Sequence, residues 1–567
     1  MAQTSNQSHP KGLYILFATE MWERFNYYGM RAILVLFMTK ALLFDKTFAS
    51  QLYGSYTSLI YLTPLIGGFM ADRYWGNNRS IIAGGITMAL GELVLFFCAT
   101  FHETNQALSS ILFFSGLGLM IAGNGFFKPN ISSLVGQLYP VGDRRIDPAY
   151  TIFYMGINVG GALGPFLCGL FGDTGNPADF KWAFLVAGIG MLTSVIVQKT
   201  FQDKYLVNQE GKKIGLAPEG IKAQWHNPVY MIIGLVIFST TMIGLLYVDA
   251  KVFNYLFYLL IGSLFVILFI VFSDKSLSLI EKKKVAVIFV VSFFVVFFWS
   301  AFEQAGASLT FFADEQTDRT LGWSIPLWII YITSILLIYF TFTLYKKAKN
   351  NLSANDRILR NIIYLLLAAF LVGLVIMNVN LLQSQQSNLI FNEVPASFFQ
   401  SLNSMYVVLF APVFAWLWMK LGKYEPSSPT KMAIGLLLLA IGYLWIGAGV
   451  KDISPGMKVS MIWLAGLYMM HTWGELCLSP IGLSLVNKLA PVKLVSLMMA
   501  VWFLANAFAN KLAGQFSALY PDGKTTSFLG YEMNNMFDFF MLFVILSGIA
   551  SAILFMLTKY LQKLMNS

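Results

Sequence analysis

Apolar stretches of about 18 or more residues recur from one end of the chain to the other, each long enough to cross a hydrocarbon core about 30 Å thick. About sixteen such segments are predicted. The first six lie near 13–38, 50–71, 79–100, 107–127, 147–171 and 181–199. A polar, basic stretch, Phe201–Asn227, separates them from a predicted hairpin, 228–248 and 253–273, closed by a tight turn at Asp249–Lys251. The remaining eight lie near 285–312, 323–345, 361–382, 397–419, 431–449, 458–485, 493–517 and 537–560. Backbone polar groups in lipid must be satisfied internally, so only helices or closed barrels span a membrane. Runs this long lack the alternating, roughly ten-residue pattern of a barrel. The pattern therefore predicts an all-α membrane protein, its halves 1–200 and 285–567 joined by a linker and hairpin at 201–284. That arrangement suggests paired repeats rocking about a central site.

Composition agrees. Of 567 residues, 57% are hydrophobic and 12% charged, against roughly 25% charged in soluble domains. The formal net charge of +10 does not point to nucleic acid, because the basic residues lie in short loops between apolar segments. With the N-terminus inside, the cytoplasmic loops and termini collect about 26 Lys and Arg and the outside loops about nine, a bias that places both termini in the cytoplasm. Cys98, Cys168 and Cys477 fall in apolar segments with no metal or redox spacing and read as core residues. The first apolar run carries Glu20, Glu23 and Arg24 and is read as retained, not as a cleaved signal. No lipid-anchor or organelle signal stands out, so a plasma or bacterial inner membrane is expected.

An ionisable group at mid-membrane is costly unless paired or hydrated, which makes each one a functional candidate. The candidates are Glu20, Glu23, Arg24, Arg31, Glu92, Lys128, Glu303, His471 and Glu475. At about 100° per residue, Glu20, Glu23, Arg24, Tyr27, Tyr28 and Arg31 fall within an arc of roughly 140° on the first helix. Acids, bases and phenols thus share one face. Such a cluster works as a switch: protonating a carboxylate releases its guanidinium partner for an anionic ligand. Glu92 has no role assigned. His471 stands four residues before Glu475, on the same helical face, in reach of tuning it.

Several motifs now become informative together. The run Glu20-Met-Trp-Glu23-Arg24-Phe25-Asn26-Tyr27-Tyr28-Gly29-Met30-Arg31 resembles the first-helix motif of the proton-dependent oligopeptide transporter family, within the major facilitator superfamily. Gly67–Arg73 with Gly76 and Arg79 resembles the superfamily's loop between helices two and three. Gly123–Asn130, with Lys128, is similar to the family's fourth-helix lysine motif, and Phe153–Asn158 to its F-Y-x-x-I-N signature. Phe298–Gln304, Phe399–Asn403 and Gly474–Pro480 resemble parts of helices seven, eight and ten.

The resemblance implies two six-helix bundles and a proton-coupled symporter that imports di- and tripeptides. It implies that Glu20, Glu23 and Arg24 couple to protons with Lys128 as partner and Glu303 contributing. Arg24, Tyr28, Arg31 and Lys128 would take the peptide carboxylate, and Glu303 with Asn158 and Asn403 the α-amino group. Tyr27, Tyr61, Trp299, Gln400, Glu475, Ser479 and Trp502 would line the pocket, while Asp72, Arg73 and Arg79 read as gating and topology residues. Arg24, Arg31 and Lys128 supply three positive charges and Glu20, Glu23, Glu303 and Glu475 four negative ones, so one bound proton neutralises the set. The alternative is the same machinery carrying another anionic or zwitterionic small molecule, such as nitrate, an amino acid or a peptide-like drug.

One feature departs from the family pattern. The segments near 323–345 and 361–382 form an extra pair inserted between those resembling helices seven and eight, expected to span the membrane and pack laterally. No nucleophile–base pair, metal-ligand cluster or phosphate-binding loop suggests an enzyme, and no cofactor beyond the coupling proton is expected. The expected partners are the peptide, the proton and the bilayer, with the chain acting as a monomer.

Overall fold

The computed structural model describes residues 8–140, 142–218, 228–251, 255–351, 357–384, 386–451, 453 and 456–566. Their helices are α1 (Lys11–Leu36), α2 (Lys46–Met70), α3 (Asn77–Phe101), α4 (Gln106–Gln137), α5 (Ile146–Gly172), α6 (Phe180–Tyr205), α7 (Pro228–Lys251), α8 (Tyr255–Ser273) and α9 (Leu279–Phe302). The short α10 (Ser308–Glu315) follows, then α11 (Leu327–Asn351), α12 (Arg357–Gln383), α13 (Phe399–Leu421), α14 (Ser428–Val450), α15 (Met461–Leu489), α16 (Val495–Ser517) and α17 (Met536–Asn566). Apart from α10, these are the sixteen long helices that the apolar pattern predicted, counted among the described residues. Residues 219–227 of the polar stretch lie outside them.

Twelve of the helices are long and apolar enough to cross a membrane by length and composition, and the chain is a multi-pass membrane protein. Helix α1 is not among the twelve, since Glu20, Glu23, Arg24 and Arg31 interrupt its apolar sequence. Local signals start some helices cleanly. The Asn105 side chain accepts from the Leu108 amide at the head of α4. Ser278 and Glu281 form a reciprocal capping box at the head of α9. The expected single segment 285–312 instead breaks after Phe302, and α10 begins five residues beyond Glu303. At the break, a Cβ on Gly306 would lie 1.7 Å from the Tyr53 hydroxyl oxygen, so the backbone passes where only glycine fits.

The chain divides into two compact units. The first comprises residues 1–33, 63–244 and 321–394. In it α3 packs along α4 and α6, and α5 lies on α6. The inserted pair, α11 and α12, leans on α6, and α12 also touches α3. A Cβ at Gly188 of α6 would stand 2.4 Å from the Phe370 ring of α12, and one at Gly373 would stand 2.5 Å from Leu185. Strands β1 (Trp323–Pro326) and β2 (Asn388–Phe391) pair antiparallel beside this helix pair. The described part of the linker is tied to α3: Asn78 donates its backbone amide to Gly215 O (3.0 Å) and its Nδ2 to Ile214 O (2.7 Å).

The second unit comprises residues 34–62, 245–320 and 395–567. Here α14 packs on α15 and α17, α9 on α16 and α17, α13 on α15, and α8 on α16. This unit corrects the predicted hairpin turn. Helix α7 continues through Asp249 to Lys251, so Asp249 is a buried helical residue and not part of a tight turn. Its Oδ2 accepts from Lys511 Nζ of α16 at 2.6 Å and from Ser55 Oγ of α2 at 2.5 Å, while Oδ1 accepts from the Leu256 amide of α8 at 2.8 Å. A buried carboxylate with these donors is fully satisfied, which makes its position inside the unit tenable.

Candidate functional site

In the first unit, glycines on α5 let α1 approach to backbone contact. A Cβ on Gly160 would stand 2.1 Å from the Met21 carbonyl oxygen, and one on Gly164 would stand 2.4 Å from that of Phe25. Close helix approach through small residues is how membrane helices pack without a hydrophobic driving force. The motif face of α1 is therefore held by its backbone, and its side chains are left to pair among themselves.

Arg24 Nε donates to Glu23 Oε2 at 2.5 Å and lies 3.1 Å from Glu20 Oε1. Asn124 of α4 donates to the second oxygen of Glu23 at 3.2 Å. All three charged side chains are buried. Two atoms remain without a hydrogen-bond partner among the described residues: Arg24 Nη2 and Glu20 Oε2. Charge pairing is thus incomplete on both the cationic and the anionic side. The guanidinium of Arg24 sits 5.2 Å from the Tyr27 ring centre and that of Arg31 5.8 Å from Tyr28, while the two phenol rings meet edge to face. Lys128 of α4 is half-buried and within electrostatic reach of Glu20. Lys128 thus stands near the charged face of α1.

Other residues assigned to the site are placed less directly. Asn158 of α5 donates its amide to Tyr154 O on its own helix (2.9 Å). Asp72, Arg73 and Arg79 are exposed, and the Arg73 guanidinium lies 5.9 Å from the Phe69 ring centre. Glu92 of α3 is fully buried and accepts from Asn26 Nδ2 at 2.7 Å.

In the second unit, Glu303 at the end of α9 is buried within electrostatic reach of Glu475 on α15. Asn403 of α13 donates to Glu475 Oε2 at 2.9 Å and to Thr472 Oγ1 at 3.0 Å. Gln400 donates to Thr310 Oγ1 at 2.9 Å. Trp299 meets the edges of Phe298 and Phe302, and the Trp502 ring lies where a Cβ on Gly482 would stand 2.0 Å away. Tyr61 of α2 and Ser479 of α15, one turn beyond Glu475, are half-buried. His471 lies against the tilted rings of Tyr443 and Phe302, ring centres 4.8 and 6.1 Å away. Its neighbours are therefore aromatic rings, while Glu475 is held by Asn403. The sequence reading overlooked Lys511 and Asp249. The same criterion would have flagged Lys511, a charge deep inside the apolar segment 493–517, whose other charge, Lys493, stands at its first position.

The sequence pattern of the POT family matches residues 78–364 and 363–535 of this chain. The chain belongs to the POT family. Its relatives include the transporter YclF of Bacillus subtilis, 32% identical over 92% of this chain and 90% of the relative. The peptide transporter YePEPT of Yersinia enterocolitica is 30% identical over 89% of this chain and 87% of its own length. A di-/tripeptide transporter of Lactococcus lactis is 28% identical over 98% and 97%. Among solved structures, a mutant POT peptide transporter in complex with alafosfalin superposes with a TM-score of 0.73 at 28% identity, covering 100% of this chain and 98% of that one. A POT family transporter in complex with 5-aminolevulinic acid gives 0.73 at 26%, covering 99% of each. The nearly all-helical POT chain thus has the fold of the major facilitator superfamily, and it is a transporter, not an enzyme.

Proposed function

We propose that this POT protein is a proton-coupled symporter that imports di- and tripeptides by alternating access. The observation that carries the reading is the incomplete pairing on α1: buried Arg24 keeps a donor, Nη2, and buried Glu20 keeps an acceptor, Oε2, neither with a hydrogen-bond partner among the described residues. A guanidinium with a donor to give suits a carboxylate ligand, and a carboxylate with a bare oxygen suits a proton. Arg31, Lys128 and Tyr28 add to the carboxylate side. Glu303, with Asn403 and Asn158, takes the α-amino group. Tyr27, Tyr61, Trp299, Gln400, Glu475, Ser479 and Trp502 give apolar walls and polar contacts that tolerate varied side chains. Protonation of Glu20 or Glu23 weakens its hold on Arg24, so substrate and proton bind together and are released together. Relatives named as peptide and di-/tripeptide transporters support this substrate class.

The halves 1–200 and 285–567 rock as two bundles, with Asp72, Arg73 and Arg79 in the loop that helps gate the motion. The protein works as a monomer in the plasma or inner membrane, with both termini cytoplasmic, as the Lys and Arg bias of its loops supports. The alternative substrate, another small zwitterion or anion, is favoured by one observation: a solved POT structure carries 5-aminolevulinic acid, which has an amine and a carboxylate but no peptide bond. Uptake into proteoliposomes under an imposed inward proton gradient separates these readings. Dialanine accumulates and free alanine does not if the peptide reading holds. Uptake of dialanine that ignores the gradient, or no uptake of it, overturns the reading.

A further inference from the structure

Glu92 is the intramembrane acid to which the transport reading gives no role. It is fully buried on α3, and among the described residues no cationic side chain hydrogen-bonds it. The groups around it are Asn26 on α1, Gly188 on α6, and Cys168 on α5, which lies within electrostatic reach. On α1, Arg24, two residues before Asn26, is already paired with Glu23 and Glu20. A Cβ at Gly188 would stand 3.1 Å from Glu92 Cβ and 2.4 Å from the Phe370 ring, so α12 of the inserted pair packs beside the acid. A carboxylate in such surroundings, unpaired, would be prohibitively costly.

The hydrogen bonds suggest how that cost is avoided. Asn26 Nδ2 donates to Glu92 Oε1 at 2.7 Å and to Ala187 O at 3.1 Å. The one side-chain oxygen of Asn26, Oδ1, and the second oxygen of Glu92, Oε2, are buried and have no partner among the described residues. Both are acceptors if Glu92 is ionised, and they cannot satisfy one another. A single proton on Oε2 converts it to a donor toward Oδ1 and closes an acid–amide ring in which both orphan atoms are satisfied.

We propose that Glu92 holds a resident proton and, through this ring with Asn26, is a positioning residue that fixes the rotation of α1 and hence the Glu20–Glu23–Arg24 face. The proton stays through the cycle; it is not the one that moves with substrate. Glutamine reproduces the ring, since its Nε2 donates to Asn26 Oδ1 and its Oε1 accepts from Nδ2. Alanine leaves Asn26 half-satisfied.

The role rests on the coupling reading of α1, so the test has a part independent of transport. The infrared difference between wild type and Glu92→Gln should contain the carbonyl band of a neutral carboxylic acid at every pH from mildly acidic to mildly alkaline, whatever the other carboxyls do. A difference band that disappears at alkaline pH, or no difference band at any pH, overturns the resident proton whether or not the protein carries peptides. In uptake, Glu92→Gln should keep the wild-type rate and pH profile. Glu92→Ala should lower proton-driven uptake roughly fivefold or more, the scale of one unsatisfied buried amide. A Glu92→Gln protein that exchanges peptide but no longer accumulates it would mean that Glu92 carries the coupled proton, contrary to the proposal.

Discussion

Replacing Lys511 with methionine removes the cation from the buried Lys511–Asp249 pair of the second unit while keeping most of the side-chain volume. The two side chains are 1% and 0% exposed, so solvent cannot take over the charge left on Asp249. Removing one partner of a buried ion pair typically costs about 3–5 kcal/mol. Asp249 keeps two donors, Ser55 Oγ and the Leu256 amide, which puts the expected loss near the lower end, about 3 kcal/mol. Adding Asp249→Asn removes the stranded charge while leaving an oxygen for Leu256 or Ser55. The double variant should therefore recover most of the loss, a positive coupling visible in a double-mutant cycle. Denaturant unfolding of the detergent-solubilised protein, followed by tryptophan fluorescence, reads the shift in midpoint at constant slope. A loss below about 1 kcal/mol, the scale of an exposed pair, or a double variant no more stable than Lys511→Met, would refute the argument that this pair is a desolvated pin between α2, α7, α8 and α16.

Glu23→Gln should abolish proton-driven accumulation of dipeptide while sparing exchange of peptide for peptide; full accumulation would remove Glu23 from the coupling step. Arg24→Ala deletes the buried donor Nη2 and should weaken dipeptide binding about tenfold or more, since a charge-assisted hydrogen bond contributes roughly 1.5–3 kcal/mol. Competition binding measures it, and undiminished affinity refutes the carboxylate role. Outside the membrane, hydrogen bonds from Ser276 and then Lys493 hold the Asp274 carboxyl below its ordinary range. A depressed folded value stabilises the fold at pH above the unfolded value of about 3.9, and this contribution fades as pH falls through the folded value. The stability difference between wild type and Lys493→Ala should thus be present at neutral pH and shrink in acid; a difference that persists unchanged would dissociate Lys493 from Asp274.

Much of this was legible before any coordinates. The sixteen long helices follow from apolar runs with a membrane-spanning length, because lipid leaves the backbone no other choice. The α1 cluster was legible for the complementary reason: acids and bases inside an apolar run, repeating at helical spacing, have one face on which to meet. Partners that depend on long-range packing were not legible. Nothing in local sequence ties Asn26 to Glu92, which are 66 residues apart, or brings Phe370 of the inserted pair against Gly188. Asp249 was misjudged because an acid between two apolar runs ordinarily marks a turn. Its burial depends on Lys511, 262 positions away.

The central claim is that peptide and proton move together. Proteoliposomes loaded with a pH-sensitive dye and given no imposed proton gradient test it directly. Adding dialanine outside should acidify the lumen at a rate that free alanine does not match and that Glu23→Gln abolishes. Dialanine that enters with no change in lumenal pH would contradict the account.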